Sequence, residues 1–219
     1  ALSSAASDVY KRQQYDDVMN EQRKEIYEQR KQVLEGRDMH ETIVKMADKL
    51  IEEAVATYCG NGDEYADWDM EGLTQYLERL CIRIGFFKAH EEAFKTVDKE
   101  ELIAKLKQEA RDFYALREKG FELIHIDPRE LERVVMLRVV DEYWMDHIDA
   151  MDNLRRGIGL RGYGNIKPID AYKKEGFDMF EAMISGIRSE VVRRIYTVRV
   201  RKEERVELSL IHISEPTRH

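Results

Sequence analysis

The stretch from Pro128 to Val200 limits what this chain can fold into more than any other. It is two long amphipathic segments separated by a short glycine-rich, basic tip. The first opens at Asp127-Pro128-Arg129-Glu130, a carboxylate N-cap followed by proline at the first helical position and an acidic residue in the first turn. Leu131, Val134, Val135, Leu137, Val140, Trp144, Ile148, Met151 and Leu154 then recur mostly at three-and-four spacing, which is one helix face. The run is broken by Gly157-Ile158-Gly159-Leu160-Arg161-Gly162-Tyr163-Gly164-Asn165, a segment that favours a turn. Helix resumes after Pro168 through Tyr172, Phe177, Phe180, Met183, Ile184, Ile187, Val191 and Ile195. Two such segments joined by a short tip must lie side by side, as an antiparallel finger roughly 45 Å long at 1.5 Å per residue.

The remainder reads as helix too. From Gln14 to about Gly36, Tyr15, Val18, Met19, Ile26, Val33 and Leu34 form a broken stripe among opposite charges three or four apart, the pattern of a solvated, coiled-coil-like helix. A second helix spans about His40 to Cys59, with Ile43, Val44, Leu50, Ile51, Ala54 and Val55 inward. Gly60-Asn61-Gly62-Asp63 is a turn, Asp69 caps a helix bearing Leu73, Tyr76, Leu77, Leu80 and Cys81, and Asp98 caps another bearing Leu102, Ile103, Leu106, Ala110, Phe113 and Tyr114. Phe86 and Phe87 read as core, with an interface as the alternative. Phe121 to Ile126 reads as a connector, with a short strand as the alternative. The fold class is therefore all-α: a long helix, a small helical domain and a long two-helix finger.

The ends have a different character. Asp8-Val9-Tyr10-Lys11-Arg12-Gln13 can be encoded by a DNA string whose reverse complement encodes Leu208-Ser209-Leu210-Ile211-His212-Ile213. The pair resembles the inverted end repeat of transposon-based sequencing libraries. Residues 1–13 and 208–219 are accordingly expected to be translated adapter, leaving an internal piece from near Gln14 to near Glu207.

Composition narrows the chemistry. Charged residues make up 37% of the 219-residue chain and the net charge is −8, which favours solvated helices and argues against general nucleic-acid binding. No run approaches the apolar length of a membrane span. Cys59 and Cys81 are isolated and read as a reduced pair rather than metal ligands. There is no Gly-rich loop followed by Lys and Ser or Thr, no Gly-x-Ser-x-Gly elbow and no histidine pair at metal-binding helical spacing. His147, beside Trp144 and Met151, reads as a packed or interface residue. No catalytic, cofactor or metal residues are expected here. The best candidate site is the tip: Leu160 and Tyr163 in a loop with little room for a core, surrounded by Arg155, Arg156, Arg161 and Lys167. A tyrosine there can grip varied peptide segments through its ring and hydroxyl. Composition alone leaves open whether Tyr163 does so or folds back over the hairpin.

These residues carry a family resemblance. The string Val135-Met136-Leu137, then Trp144-Met145-Asp146-His147-Ile148-Asp149-Ala150-Met151-Asp152-Asn153-Leu154-Arg155-Arg156-Gly157-Ile158, Leu160-Arg161-Gly162-Tyr163, Tyr172-Lys173 and Met179-Phe180 resembles the two-helix finger of the SecA family, the bacterial ATP-driven motors of preprotein translocation. Tyr15-Asp16-Asp17-Val18-Met19-Asn20-Glu21-Gln22-Arg23 is similar to the start of that family's helical scaffold. The chain departs from the pattern beyond the tip, where Lys167-Pro168 and Ala171-Tyr172 stand in place of an Asp-Pro and a Glu-Tyr pair.

The resemblance implies a scaffold at 14–37, a helical wing at 38–126, and a second scaffold part with the finger at 127–207. It implies ATP and magnesium in motor domains outside this chain and none within it. It also implies that Tyr163, and with it Leu160 and Ile158, touches the translocating polypeptide, while Arg155, Arg156, Arg161 and Lys167 face a SecY-type channel or anionic lipid headgroups. Unfolded preproteins and the chain's own nucleotide-binding domains would be partners, at the cytoplasmic face of the plasma membrane. Two rival readings are a free-standing helical adaptor and an RNA-binding helical arm. The acidity and the single aromatic of the tip disfavour the second.

Overall fold

The computed structural model describes residues 2–36, 38–159 and 167–199, with side chains from residue 9 onward apart from residue 11. Among these the architecture is all-α, as the periodicity requires. The helices are α1 (Leu2–Leu34), α2 (His40–Tyr58), α3 (Met70–Glu78), α4 (Phe86–Ala89), α5 (Glu91–Phe94), α6 (Lys99–Leu123), α7 (Pro128–Ile158) and α8 (Pro168–Thr197), with a 3₁₀ turn at Tyr65–Asp67. The expected caps form. The amide of Gly72 donates to Asp69 Oδ1 at 2.9 Å, that of Glu101 to Asp98 Oδ1 at 2.8 Å, and that of Arg129 to Asp127 Oδ1 at 2.9 Å. Each satisfies a donor that the first helical turn leaves without an intrahelical acceptor.

Several boundaries differ from the sequence reading. Helix α1 begins at Leu2 rather than near Gln14, and α7 continues through Gly157 to Ile158. Helix α6 runs to Leu123, so the alternating stretch is neither a strand nor wholly a connector. The chain turns at Ile124–His125, where His125 takes a left-handed φ of 61°. The alternation of Phe121, Leu123 and His125 was a coincidence of composition at a helix end.

The chain divides into two compact units. Among the described residues, the first comprises 2–36 with 136–159 and 167–187, and the second 38–135 with 188–199; α7 and α8 thus contribute to both. In the second unit α2 packs against α3 and α6. Ile43, Leu50, Ile51, Leu73, Leu77, Ile82, Leu102 and Leu106 are buried there, and the Phe87 ring packs at a tilt against the buried Phe94, with centroids 5.7 Å apart. Phe86 is half-buried beside it, so only one of the two phenylalanines is core. Two carboxylates lie inside this unit. Glu109 accepts from Arg83 Nε and Nη2 at 2.6 and 2.8 Å, and Glu132 accepts from the Tyr114 hydroxyl and from Arg129. Buried charges persist when paired and hydrogen-bonded, which both are.

The first unit is a three-helix assembly of α1, α7 and α8. A Cβ on Gly176 would meet the Met151 side chain, and one on Gly186 would meet the Tyr143 ring. As numbering rises along α8 it falls along α7, so these two helices are antiparallel. Met151, Leu154, Ile158, Ala171 and Tyr172 form a buried cluster, and Tyr15, Val18 and Met19 of α1 pack onto it. On α1, positions 15, 19, 22, 26 and 33 carry the inward residues, a narrow seam at three-and-four spacing. Phe177 corrects the expected stripe: it is 61% exposed, because Gly176 holds the inward position and lets α8 approach Met151.

Candidate functional site

The tip is where the sequence places function. Leu160, Arg161 and Tyr163 lie outside the described residues, and the structure defines the helix ends that flank them in sequence. Ile158 is only 2% exposed and packs in the cluster with Met151, Leu154, Ala171 and Tyr172, so it is a core residue rather than an exposed grip. Ala171, at one of the positions that depart from the family pattern, belongs to the same apolar cluster.

The basic residues divide by environment. Arg155 Nη1 donates to Asp16 Oδ1 of α1 at 2.8 Å, and its guanidinium lies 5.4 Å from the centroid of the Tyr15 ring. Arg156 points to solvent and pairs with Asp152 one turn back on its own helix. Lys167 is exposed at the start of α8, where its carbonyl accepts from the amides of Asp170 and Ala171. Arg155 is therefore engaged with α1, while Arg156 and Lys167 present their charge outward.

Among the described residues, polar ties join α1 to α7 at several levels. Besides Arg155 with Asp16, His147 Nε2 meets Gln22 Oε1 at 2.7 Å, and Arg30 Nε and Nη2 donate to Asp141 at 2.9 and 3.2 Å. The partner numbers run in opposite directions, so α1 is antiparallel to α7 and parallel to α8. The middle tie is buried and reaches all three helices, because Gln22 Nε2 donates to the Gly176 carbonyl of α8 at 3.1 Å. That donation leaves the Gln22 oxygen for His147, which must carry its proton on Nε2 to satisfy it. Burial lowers the imidazole pKa, so the neutral ring is the stable form. His147 is a packed residue with a structural partner, in keeping with the sequence reading. Gln22 was not anticipated; its spacing with Tyr15, Met19 and Ile26 along the seam is the signal that places it inside.

Two other sets of reactive side chains among the described residues are buried or already paired. Cys59 and Cys81 are free and buried, and burial pushes their thiols up to about 11 and about 12, so both are protonated near neutrality. Among the described residues, His40, Glu118 and Glu132 bring metal-capable atoms within 4.8 Å of one another. Arg129 contacts both carboxylates, however, and so already supplies the positive charge that the cluster calls for. No helix among the described residues is long and apolar enough to cross a membrane.

Residues 10–199 match the family described as the SecA wing and scaffold domain. The chain belongs to this family. It is similar to the protein translocase subunit SecA of Pelotomaculum thermopropionicum, with 46% identity over 187 residues, covering 85% of this chain and 21% of that protein. The SecA subunit of Heliobacterium modesticaldum is 43% identical over 188 residues, covering 85% and 22%, and that of Clostridium perfringens strain 13 is 44% identical over 194 residues, covering 87% and 22%. The chain thus spans about a fifth of the length of the SecA relatives it matches. Both strings read from the sequence as SecA-like, 15–23 and 135–180, lie inside the matched range.

Proposed function

We propose that this chain is the scaffold, wing and finger portion of an ATP-driven protein translocase, acting at the cytoplasmic face of a membrane as part of a longer polypeptide. Helix α1 relays the movement of nucleotide-binding domains outside this chain. Helices α7 and α8 carry that movement to the tip, where Tyr163 and Leu160 touch an unfolded preprotein entering a SecY-type channel. Arg156, Arg161 and Lys167 would meet acidic groups of the channel or anionic lipid headgroups.

One observation supports this reading above the others. The scaffold helix and the hairpin are packed as one body up to the last described turn before the tip, through the Met151, Leu154, Ile158 and Tyr172 cluster and the buried tie from Gln22 to His147 and Gly176. A relay needs a lever that does not bend between input and output, and close-packed interiors transmit displacement because they are nearly incompressible.

The test is site-specific crosslinking from position 163 in a full-length translocase carrying this segment, stalled with a preprotein part-way through the channel. Adducts with the preprotein are expected from 163 and not from the exposed scaffold position Glu28. Equal yields from both positions, or none from 163 during active transport, would remove the tip as the polypeptide contact.

A further inference from the structure

Two Arg–Asp ties between α1 and α7 among the described residues have the same spacing on both helices. Asp16 pairs with Arg155 and Arg30 with Asp141, fourteen residues apart on each. At 1.5 Å per residue they are about 21 Å apart along the helix pair. The Asp16–Arg155 pair is the one next to the tip, three residues before the end of α7.

That pair is also built differently from an ordinary surface ion pair. Arg155 engages two neighbours at once, donating to Asp16 at 2.8 Å while its guanidinium carbon lies over the Tyr15 ring, 5.4 Å from the centroid. The Tyr15 ring in turn meets Tyr172 of α8 edge-on at 4.8 Å, and Tyr172 is buried against Met151 and Leu154. One layer therefore joins α1, α7 and α8 through four side chains in contact.

The energetics say what such a layer is for. Arg155 and Asp16 keep 36% and 51% of their side-chain surface in water, and an exposed pair of that kind adds little to stability. The apolar cluster beneath supplies non-directional adhesion, and the directional tie from Gln22 to His147 and Gly176 lies six residues further along α1, away from the tip. A guanidinium held both by a carboxylate hydrogen bond and over an aromatic ring has two directional contacts. We propose that Tyr15, Asp16, Arg155 and Tyr172 form a register clasp, a set of positioning residues that fixes the attitude of the finger tip against the scaffold helix. The clasp rests on the translocase reading above and adds to it the place where scaffold movement is handed to the finger.

The experiment uses the full-length translocase carrying this segment, with channel-containing vesicles and a preprotein. Three variants are compared with the parent: Asp16→Asn, Arg155→Gln and the two combined. The readouts are polypeptide length moved per ATP hydrolysed and the thermal midpoint. A fall of about fivefold in length per ATP is expected in each single variant, at the lower end of coupling between sites. The double variant should fall no further, because either change opens the same clasp. Asp16→Glu should retain most of the parental value, and all variants should melt close to the parent. Unchanged length per ATP in the single variants overturns the clasp, as do losses that multiply in the double variant and follow the melting temperature. Crosslinking from position 163 in the same preparations separates the two ideas. Preprotein adducts alongside unaffected transport remove the clasp alone, whereas their absence from the parent removes the translocase contact and the clasp with it.

Discussion

Glu132 and His147 are buried polar side chains, which a core accepts only when they are hydrogen-bonded. Glu132 is 1% exposed and takes hydrogen bonds from Tyr114 and Arg129, with His40 Nδ1 at 3.3 Å. Truncating one partner of such a set strands the others, so Glu132→Ala should cost about 3 kcal/mol, read as a lower urea midpoint with an unchanged slope. A loss below about 1 kcal/mol would mean that water replaces the carboxylate freely. His147 gives a pH dependence of known sign. Burial holds its pKa below the ordinary histidine value of 6.5, so below that pH the unfolded chain binds a proton that the folded one does not. Its contribution is complete above pH 6.5 and is lost as the pH falls. Urea midpoints at pH 7.5 and 5.0 should therefore differ more in the parent than in His147→Gln, which cannot titrate; equal differences would place the pH response in other groups.

The helices were legible from periodicity and caps, because both are local. Asp69, Asp98 and Asp127 each stand at the helix start that their side chains predict. What could not be read locally was which residue of a stripe turns inward. Phe177 was placed with the apolar face, yet the inward site is Gly176, since the approach of α8 to Met151 depends on a helix far away in sequence. Two other helical glycines show how tertiary context sets the cost of a side chain. Gly120 of α6 has open space where a Cβ would stand, with nothing within 4 Å, so Gly120→Ala should stabilise the chain by roughly 0.5–1 kcal/mol through helix propensity and unfolded-state entropy. A Cβ on Gly186 of α8 would sit 2.5 Å from Tyr143 Cε1, and Gly186→Ala should lose about 1–2 kcal/mol as the ring is forced aside. The two variants should move the thermal midpoint in opposite directions. A gain at Gly186 would show that the ring yields without strain.

At the scale of the molecule, family membership was legible because the motif strings run through both α1 and the α7–α8 pair, and the same packing explains why they occur together. The seam of Tyr15, Met19, Gln22 and Ile26 is held against α7 and α8 by partners more than a hundred residues away, among them Asp16–Arg155 and Gln22–His147. Those pairings could not be read from spacing, and neither could the engagement of Arg155 with α1. The chain also spans only about a fifth of its SecA relatives, so some of its surface would be interior in a longer protein. The first unit carries a groove lined by Ile26, Tyr27, Leu34, Trp144 and Met145, with the Arg30–Asp141 pair at its side. Met145 there is 68% exposed, whereas Met151 on the same helix is 1% exposed. Thioether oxidation follows access, so dilute peroxide should convert Met145 first and Met151 last in this chain alone. In a full-length translocase carrying the segment, Met145 should be protected several-fold while Met151 is unchanged, if the rest of that translocase covers the groove. Peptide mass analysis after timed quenching reads both sites at once. Equal Met145 rates in the two contexts would leave this apolar face open to solvent in the whole translocase, available to a partner that arrives only during transport.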